Sequence, residues 1–262
     1  MALWQVLLLA LLQGATEFLP VSSSGHLLLA SHLLGVGLLP LRWMVLFHAG
    51  TFLAVLWTYR HDGARLLRAL WPGRGSPDDR HLLGLMVGAS AVTGAIALGV
   101  EPWLEKGGLS LGTAAAGWWT TGLLLLASSS RKGGRRRLQD FTLKDALWVG
   151  FFQGAALLPG FSRSGLTLAA GLFRGLEPRE AVRFSFLLAL PAMAAASLWE
   201  LQGIYGGGGE GFKVMVGFAL AFLSGLGAIG WVKSWATAGK LPWMALYNLA
   251  LGAAVGGWWL LG

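Results

Sequence analysis

Four ionisable residues, Glu17, His26, His48 and Arg163, stand inside long apolar stretches of this sequence. Such a side chain is costly to desolvate and is a functional candidate by default. Arg163 offers a planar fork of N–H donors that stays protonated and matches phosphate or carboxylate oxygens. Its bland role is an ion pair with Glu17. Glu17 in turn could hold a divalent cation, act as a base, or only neutralise Arg163; magnesium commonly takes one or two protein carboxylates while phosphate oxygens complete its shell. Gln13, four residues earlier, shares the helix face of Glu17 and as structure alone is a packing amide. His26 suits an acid or base acting on a phosphoryl group or a nearby hydroxyl, or else a hydrogen-bonded packing residue. His32 and His48 read as structural. Hydroxyls come in two runs, Ser22-Ser23-Ser24-Gly25 and Ser162-Arg163-Ser164-Gly165. Serines there can cap a helix restarting after a break, or take part in chemistry.

Both runs interrupt apolar sequence, at Pro20 within residues 1–41 and at Pro159-Gly160 within residues 146–173. Neither half of either stretch can cross about 30 Å of hydrocarbon alone. Irregular backbone at membrane depth survives only where protein or a wet cavity satisfies it, so both stretches read as re-entrant helical hairpins. They are also alike: LQGATEFLPVSSSGHLLLAS pairs with FQGAALLPGFSRSGLTLAAG, setting Gln13 against Gln153 and Gly14 against Gly154 with one residue of slip before the proline. Six further segments, near 42–59, 82–100, 109–129, 182–201, 213–232 and 241–261, have the length and apolar content of spans, with tryptophans such as Trp43, Trp103, Trp199 and Trp258 near their ends.

Composition agrees, since 55% of the 262 residues are hydrophobic and only 12% charged, which excludes an ordinary soluble domain. The absence of cysteine excludes disulfides, thiolate metal sites and a thiol nucleophile. A net charge of +8 points to cytoplasmic loops and anionic headgroups rather than nucleic acid. Sixteen of the twenty Lys and Arg fall in 60–81, 130–145, 174–183 and 233–240, which are therefore expected to be cytoplasmic. With three spans between the hairpins, the first opens outward and the second inward. The expected fold is an all-α integral membrane protein of six transmembrane helices plus two re-entrant hairpins in an inverted-topology repeat. It forms a single membrane domain over 1–262, with halves near 1–129 and 143–262 joined by a basic cytoplasmic loop 130–142. In such repeats broken helices meet near the midplane and aim backbone N–H groups at an anion.

The segments QGATE (Gln13 to Glu17), LPVSSSGH (Leu19 to His26) and LPGFSRSGLT (Leu158 to Thr167) resemble the signature motifs of the bacterial undecaprenyl-pyrophosphate phosphatase family, and the likeness extends over essentially the whole chain. The resemblance implies hydrolysis of polyprenyl pyrophosphate to the monophosphate, recycling the lipid carrier of cell-wall synthesis, in the bacterial inner membrane with the active site facing outward. It implies Glu17 and Gln13 as the motif associated with a divalent cation, Mg or Ca, and Ser23 and His26 as catalytic hydroxyl and imidazole. Arg163, Ser162, Ser164 and Thr167, with Ser22 and Ser24, would bind phosphate. Many members carry Glu where this chain has Gln13. The expected partners are the polyprenyl pyrophosphate, membrane lipids and a second copy in a homodimer, with no nucleic acid. Whether Ser23 attacks phosphorus or orients water stays open at this point. The rival class is a lipid-phosphate flippase or secondary transporter, since inverted repeats with broken helices serve many transporters. A Gly-rich loop ending in Gly-Lys-Ser or Gly-Lys-Thr is absent, which argues against a kinase.

Overall fold

A computed structural model of the chain describes residues 1–105, 110–129, 134–201 and 210–261. Lys106, Arg131 and Lys132, which contribute to the loop-charge argument, and the side chains of Trp103 and Trp199 lie outside the described residues. Everything regular among the described residues is helical, and an isolated bridge between Arg136 and Leu176 is the sole strand-like pairing there.

The first apolar stretch forms α1 (Leu3–Phe18) and α2 (Ser23–Leu33), broken where Pro20 and the serine run predicted a break. The second forms α7 (Leu143–Ala155) and α8 (Arg163–Phe173), with a longer interruption at 156–162. Between them run α3 (Leu41–Thr58), α4 (Arg60–Ala69), α5 (Pro77–Glu105) and α6 (Leu111–Ser129), and after them α9 (Pro178–Leu201), α10 (Gly211–Thr237) and α11 (Leu241–Leu261). Five of these, α3, α5, α9, α10 and α11, are long and apolar enough to cross a membrane, which makes the chain a multi-pass membrane protein. The third span expected from the sequence, α6, is not among the five; Thr113, Thr120, Thr121 and several glycines and tryptophans dilute it.

Local signals explain the helix starts. Thr142 and Asp145 form a reciprocal capping box on α7, with the Asp145 N–H donating to Thr142 Oγ1 at 3.3 Å and Thr142 N–H donating to Asp145 Oδ2 at 2.9 Å. Asp145 also takes Arg136 at 2.8 Å and Arg174 at 2.5 Å, tying the segment before α7 to the end of α8. In α5, Pro77 occupies the first turn behind Ser76, whose hydroxyl accepts from Asp79 N–H at 3.1 Å. The sequence reading treated 60–81 wholly as loop, yet α4 fills its first half. Leu66 and Ala69 face inward there while Arg65 and Arg68 stay exposed.

The helices pack in pairs. Helix α1 lies along α10 and α7 along α5, α6 pairs with α11, and α3 meets both α9 and α10. The breaks between α1 and α2 and between α7 and α8 approach each other within this bundle. A Cβ on Gly25 would come within 3.2 Å of Gly160 Cα, and one on Gly165 within 3.2 Å of Pro20 Cβ. The glycine ending each serine run is therefore what lets the opposite break approach.

Candidate active site

The first break exposes three successive carbonyls to no helix of their own, and each is met by a side chain from elsewhere. Ser164 Oγ of α8 donates to Leu19 O at 3.0 Å, Asn248 Nδ2 of α11 to Pro20 O at 2.8 Å, and Trp118 Nε1 of α6 to Val21 O at 2.8 Å. Protein thus supplies the partners that lipid cannot. At the end of the break Ser22 takes φ of +68°, the sole positive φ outside glycine among the described residues. A left-handed serine is held only where its surroundings over-determine it, and such residues cluster at functional sites. Its side chain accepts from Gly25 N–H at 3.3 Å and so caps α2.

Glu17 lies at the centre of the site. Its Oε1 accepts from Arg163 Nη2 at 2.7 Å, and its Oε2 accepts from Ser23 Oγ at 2.5 Å and Gln13 Nε2 at 3.0 Å. The pair is largely screened from solvent, with side-chain exposures of 16% for Arg163 and 8% for Glu17. Two polar atoms are left over in this buried cluster: Arg163 Nη1 and Gln13 Oε1 have no hydrogen-bond partner. Each is a buried polar atom that is costly to leave unsatisfied unless a ligand completes it. Met193 Sδ, at 3.8 Å from Arg163 Nη2, closes one side of the guanidinium.

The other residues singled out from sequence divide into two groups. His26 is buried and bonded at both nitrogens, with Nδ1 2.7 Å from Ser22 O and Nε2 2.6 Å from the Tyr247 hydroxyl, whose ring stacks on it. Nδ1, which faces a carbonyl, is the donor there, and the Tyr247 hydroxyl completes Nε2. Ser162 is the N-cap of α8, accepting from Gly165 N–H at 3.1 Å, and its own N–H donates to Thr121 Oγ1 at 3.1 Å. Ser164 is committed to Leu19 O, and Thr167 to Arg163 O at 2.7 Å and Ser185 Oγ at 2.6 Å. All three hydroxyl residues are buried, so they hold the N-terminus of α8 rather than present an open face. Ser23 is half-buried and Ser24 exposed at the rim, while Ser22 is buried.

Beside the rim lies an apolar cavity of about 310 Å³ lined by Ser24, Leu27, Leu28, Leu38, Met44 and His48, among others. His48, read as structural, thus lines this cavity. Trp118, Asn248, Thr121, Tyr247 and Met193 escaped the sequence reading, because nothing in their local pattern separates them from packing residues. Only their position opposite an irregular backbone would have marked them. Among the described residues no three His, Asp or Glu side chains converge into a metal cage.

The fold and site define a helical membrane protein with a serine hydroxyl, a carboxylate and a guanidinium brought together where two helix breaks meet. The sequence model of the family described as Bacitracin resistance protein BacA matches residues 6–254, and the chain belongs to that family. It is 35% identical over 263 residues to the undecaprenyl-diphosphatase of Mycolicibacterium gilvum, covering 96% of this chain and 94% of the relative. It is 36% identical over 257 residues to the undecaprenyl-diphosphatase of Carboxydothermus hydrogenoformans, covering 96% and 95%. To that of Desulfosudis oleivorans it is 37% identical over 261 residues, covering 95% of each chain.

Proposed function

We propose that this protein is an undecaprenyl-diphosphatase, removing the terminal phosphate of the polyprenyl pyrophosphate and returning the monophosphate to cell-wall synthesis. Full-length relatives of that name support the activity. The observation that carries the chemistry is the contact of Ser23 Oγ with Glu17 Oε2 at 2.5 Å, with Arg163 on the other carboxylate oxygen at 2.7 Å. Glu17 takes the Ser23 proton as Oγ bonds to the terminal phosphorus, the bridging P–O bond breaks, and the lipid monophosphate leaves. Water then releases phosphate from the phosphoserine. Arg163 Nη1 and the free N–H groups opening α2 and α8 hold the phosphoryl oxygens. Ser22 caps α2, while Ser162, Ser164 and Thr167 serve phosphate by fixing α8. Ser24 stands at the mouth, where the apolar cavity fits the first part of a lipid tail. His26, anchored by Tyr247, holds Ser22 and so the start of α2.

A divalent cation fits the donor set in one respect: Gln13 Oε1 is a buried oxygen without a partner beside the only carboxylate in the cluster. Glu17 and Gln13 would hold it, and it would add positive charge against the developing negative charge on the phosphoryl group.

For topology the reading is six spans, α6 being the sixth, and two re-entrant hairpins, in the inner membrane with the site open to the outer side. The hydrogen-bonded break of α1–α2, the matching pairings of α1 with α10 and of α7 with α5, and the basic loops support it. On the same grounds the halves 1–129 and 143–262 form one membrane domain. The carrier alternative finds no specific support in the site or the relatives. The decisive measurement is phosphate release from undecaprenyl pyrophosphate by detergent-purified protein. Ser23→Ala should abolish it while acid-quenched parent protein carries label from the terminal phosphate. Turnover in Ser23→Ala near that of the parent would overturn the serine attack.

A further inference from the structure

A second cavity, polar and of about 940 Å³, opens among the end of α3, the start of α4, the 3-10 turn Leu138–Asp140, the start of α9 and the end of α10. It is separate from the Glu17 cluster. Helix α8, with its 11 residues, stands between Arg163 and the cavity residue Glu177, a length of about 16 Å. An apolar aromatic wall also divides the two. Tyr59 packs edge-on against Phe186 with ring centroids 6.2 Å apart, and Phe186 against Phe18, the neighbour of Glu17, at 5.5 Å.

The charges around this cavity do not balance. Asp62 is taken by Arg65 at 2.5 Å and by Arg183 at 2.7 Å, and Arg183 also reaches Glu180 at 3.6 Å. Among the described residues lining the cavity, that leaves Arg137, Arg179 and Lys233 without a carboxylate within ion-pair distance, against Glu177 as the remaining unpaired acid, an excess of two positive charges within the lining; Asp79, outside it, lies 3.8 Å from Arg65. Lys233 Nζ sits 4.3 Å from the Tyr59 ring centroid. The Tyr59 side chain, in a residue only 5% exposed, ends in a hydroxyl with no hydrogen-bond partner. The orphaned hydroxyl thus belongs to the ring that Lys233 overlies, and it lacks an acceptor.

We infer that this cavity is a binding site for a dianionic phosphomonoester, with Arg137, Arg179 and Lys233 neutralising it and the Tyr59 hydroxyl donating to one of its oxygens. Two charges of excess match a phosphomonoester near neutral pH, and a phosphate oxygen supplies the acceptor that Tyr59 lacks. The ligand can be the headgroup of a phosphomonoester lipid or phosphate from water.

Equilibrium binding of labelled inorganic phosphate to the protein in phosphatidylcholine nanodiscs tests the assignment, run on the parent and on Arg163→Gln, which disables the other phosphate locus proposed above. A component should persist in Arg163→Gln. In that background Arg179→Gln with Lys233→Gln should weaken it at least tenfold, and Tyr59→Phe, which removes one oxygen and keeps the ring, about threefold or more. Adding phosphatidic acid to the nanodiscs separates the sources: loss of the phosphate signal marks a lipid headgroup, and an unchanged signal marks phosphate from water. Absence of the component in Arg163→Gln, or its indifference to both cavity variants, overturns the inference. Neither result bears on hydrolysis, which phosphate release reads separately.

Discussion

Replacing Arg163 by lysine keeps the charge and removes the fork, and the geometry sets the expected loss. Nη2 is held by Glu17 Oε1 at 2.7 Å while Nη1 is buried without a partner, so the guanidinium can serve the carboxylate and a phosphoryl oxygen at once. A lysine ammonium at the end of a flexible stem concentrates its donors on one atom and cannot span both positions in the same geometry. One charge-assisted hydrogen bond, about 1.5–3 kcal/mol, is forfeited. That corresponds to a fall in kcat/KM of roughly tenfold to 150-fold. Lysine is the informative change because alanine would leave Glu17 as a buried, unpaired charge, a loss of about 3–5 kcal/mol that mixes stability with catalysis. The assay is phosphate release from undecaprenyl pyrophosphate in detergent, with melting temperature and elution profile measured on the same preparation. A fall in kcat with KM unchanged would assign the lost bond to the transition state, and a rise in KM alone would assign it to binding. If Arg163→Lys keeps kcat/KM within about twofold of the parent, the clamp is wrong.

Other outcomes follow from the same contacts. A chelator should abolish turnover, and Glu17→Gln, which removes the base for Ser23 together with a cation ligand, should abolish it at any cation concentration, whereas Gln13→Ala should only raise the concentration required; full activity in chelator removes the cation from the mechanism. Trp118→Phe leaves Val21 O without its donor and should cost about 1–3 kcal/mol, read as a lower melting temperature, whereas an unchanged melt would show that the carbonyl finds another partner. Burial alone would raise the Asp145 carboxyl, but the Thr142 N–H together with Arg136, the Thr142 hydroxyl and Arg174 hold it well below its ordinary value of 3.8. Its contribution is therefore full above that value and lost as pH falls below it. The melting-temperature gap between the parent and Asp145→Asn should stay level from pH 8 to about pH 5 and narrow in stronger acid; a gap that narrows between pH 8 and 6 would point to another group.

What the sequence revealed was local. Gln13 and Glu17 stand four apart on one helix, and the hydrogen bond between them is what that spacing implies. The helix breaks were legible because proline and a serine run interrupt apolar sequence. The repeat was a weaker guide, since Gln153 matches Gln13 in sequence but donates to Thr93 Oγ1 at 3.2 Å, a hydroxyl where Gln13 meets a carboxylate. The serines flanking Arg163 looked like open phosphate donors until the fold showed their hydroxyls spent on Gly165 N–H and Leu19 O. Helix α4 was hidden because its charges read as loop, although Leu66 and Ala69 lie four and three positions apart from Asp62 and Leu66 on an inward stripe. Tyr247 and Asn248 meet the first hairpin across more than two hundred residues, a pairing only packing decides.

The three carbonyls of the first break are held by three different helices, like a lens seated on three mounting pins. A shift of α6, α8 or α11 would tilt the turn that leads into Ser23 without touching any reacting atom. Substitutions along those helices should thus be inherited as a set, because a change in one pin is tolerated only when the others re-centre the turn. Residues with no chemistry of their own would then drift in step with one another across lineages, more slowly than the lipid-facing sides of the same helices.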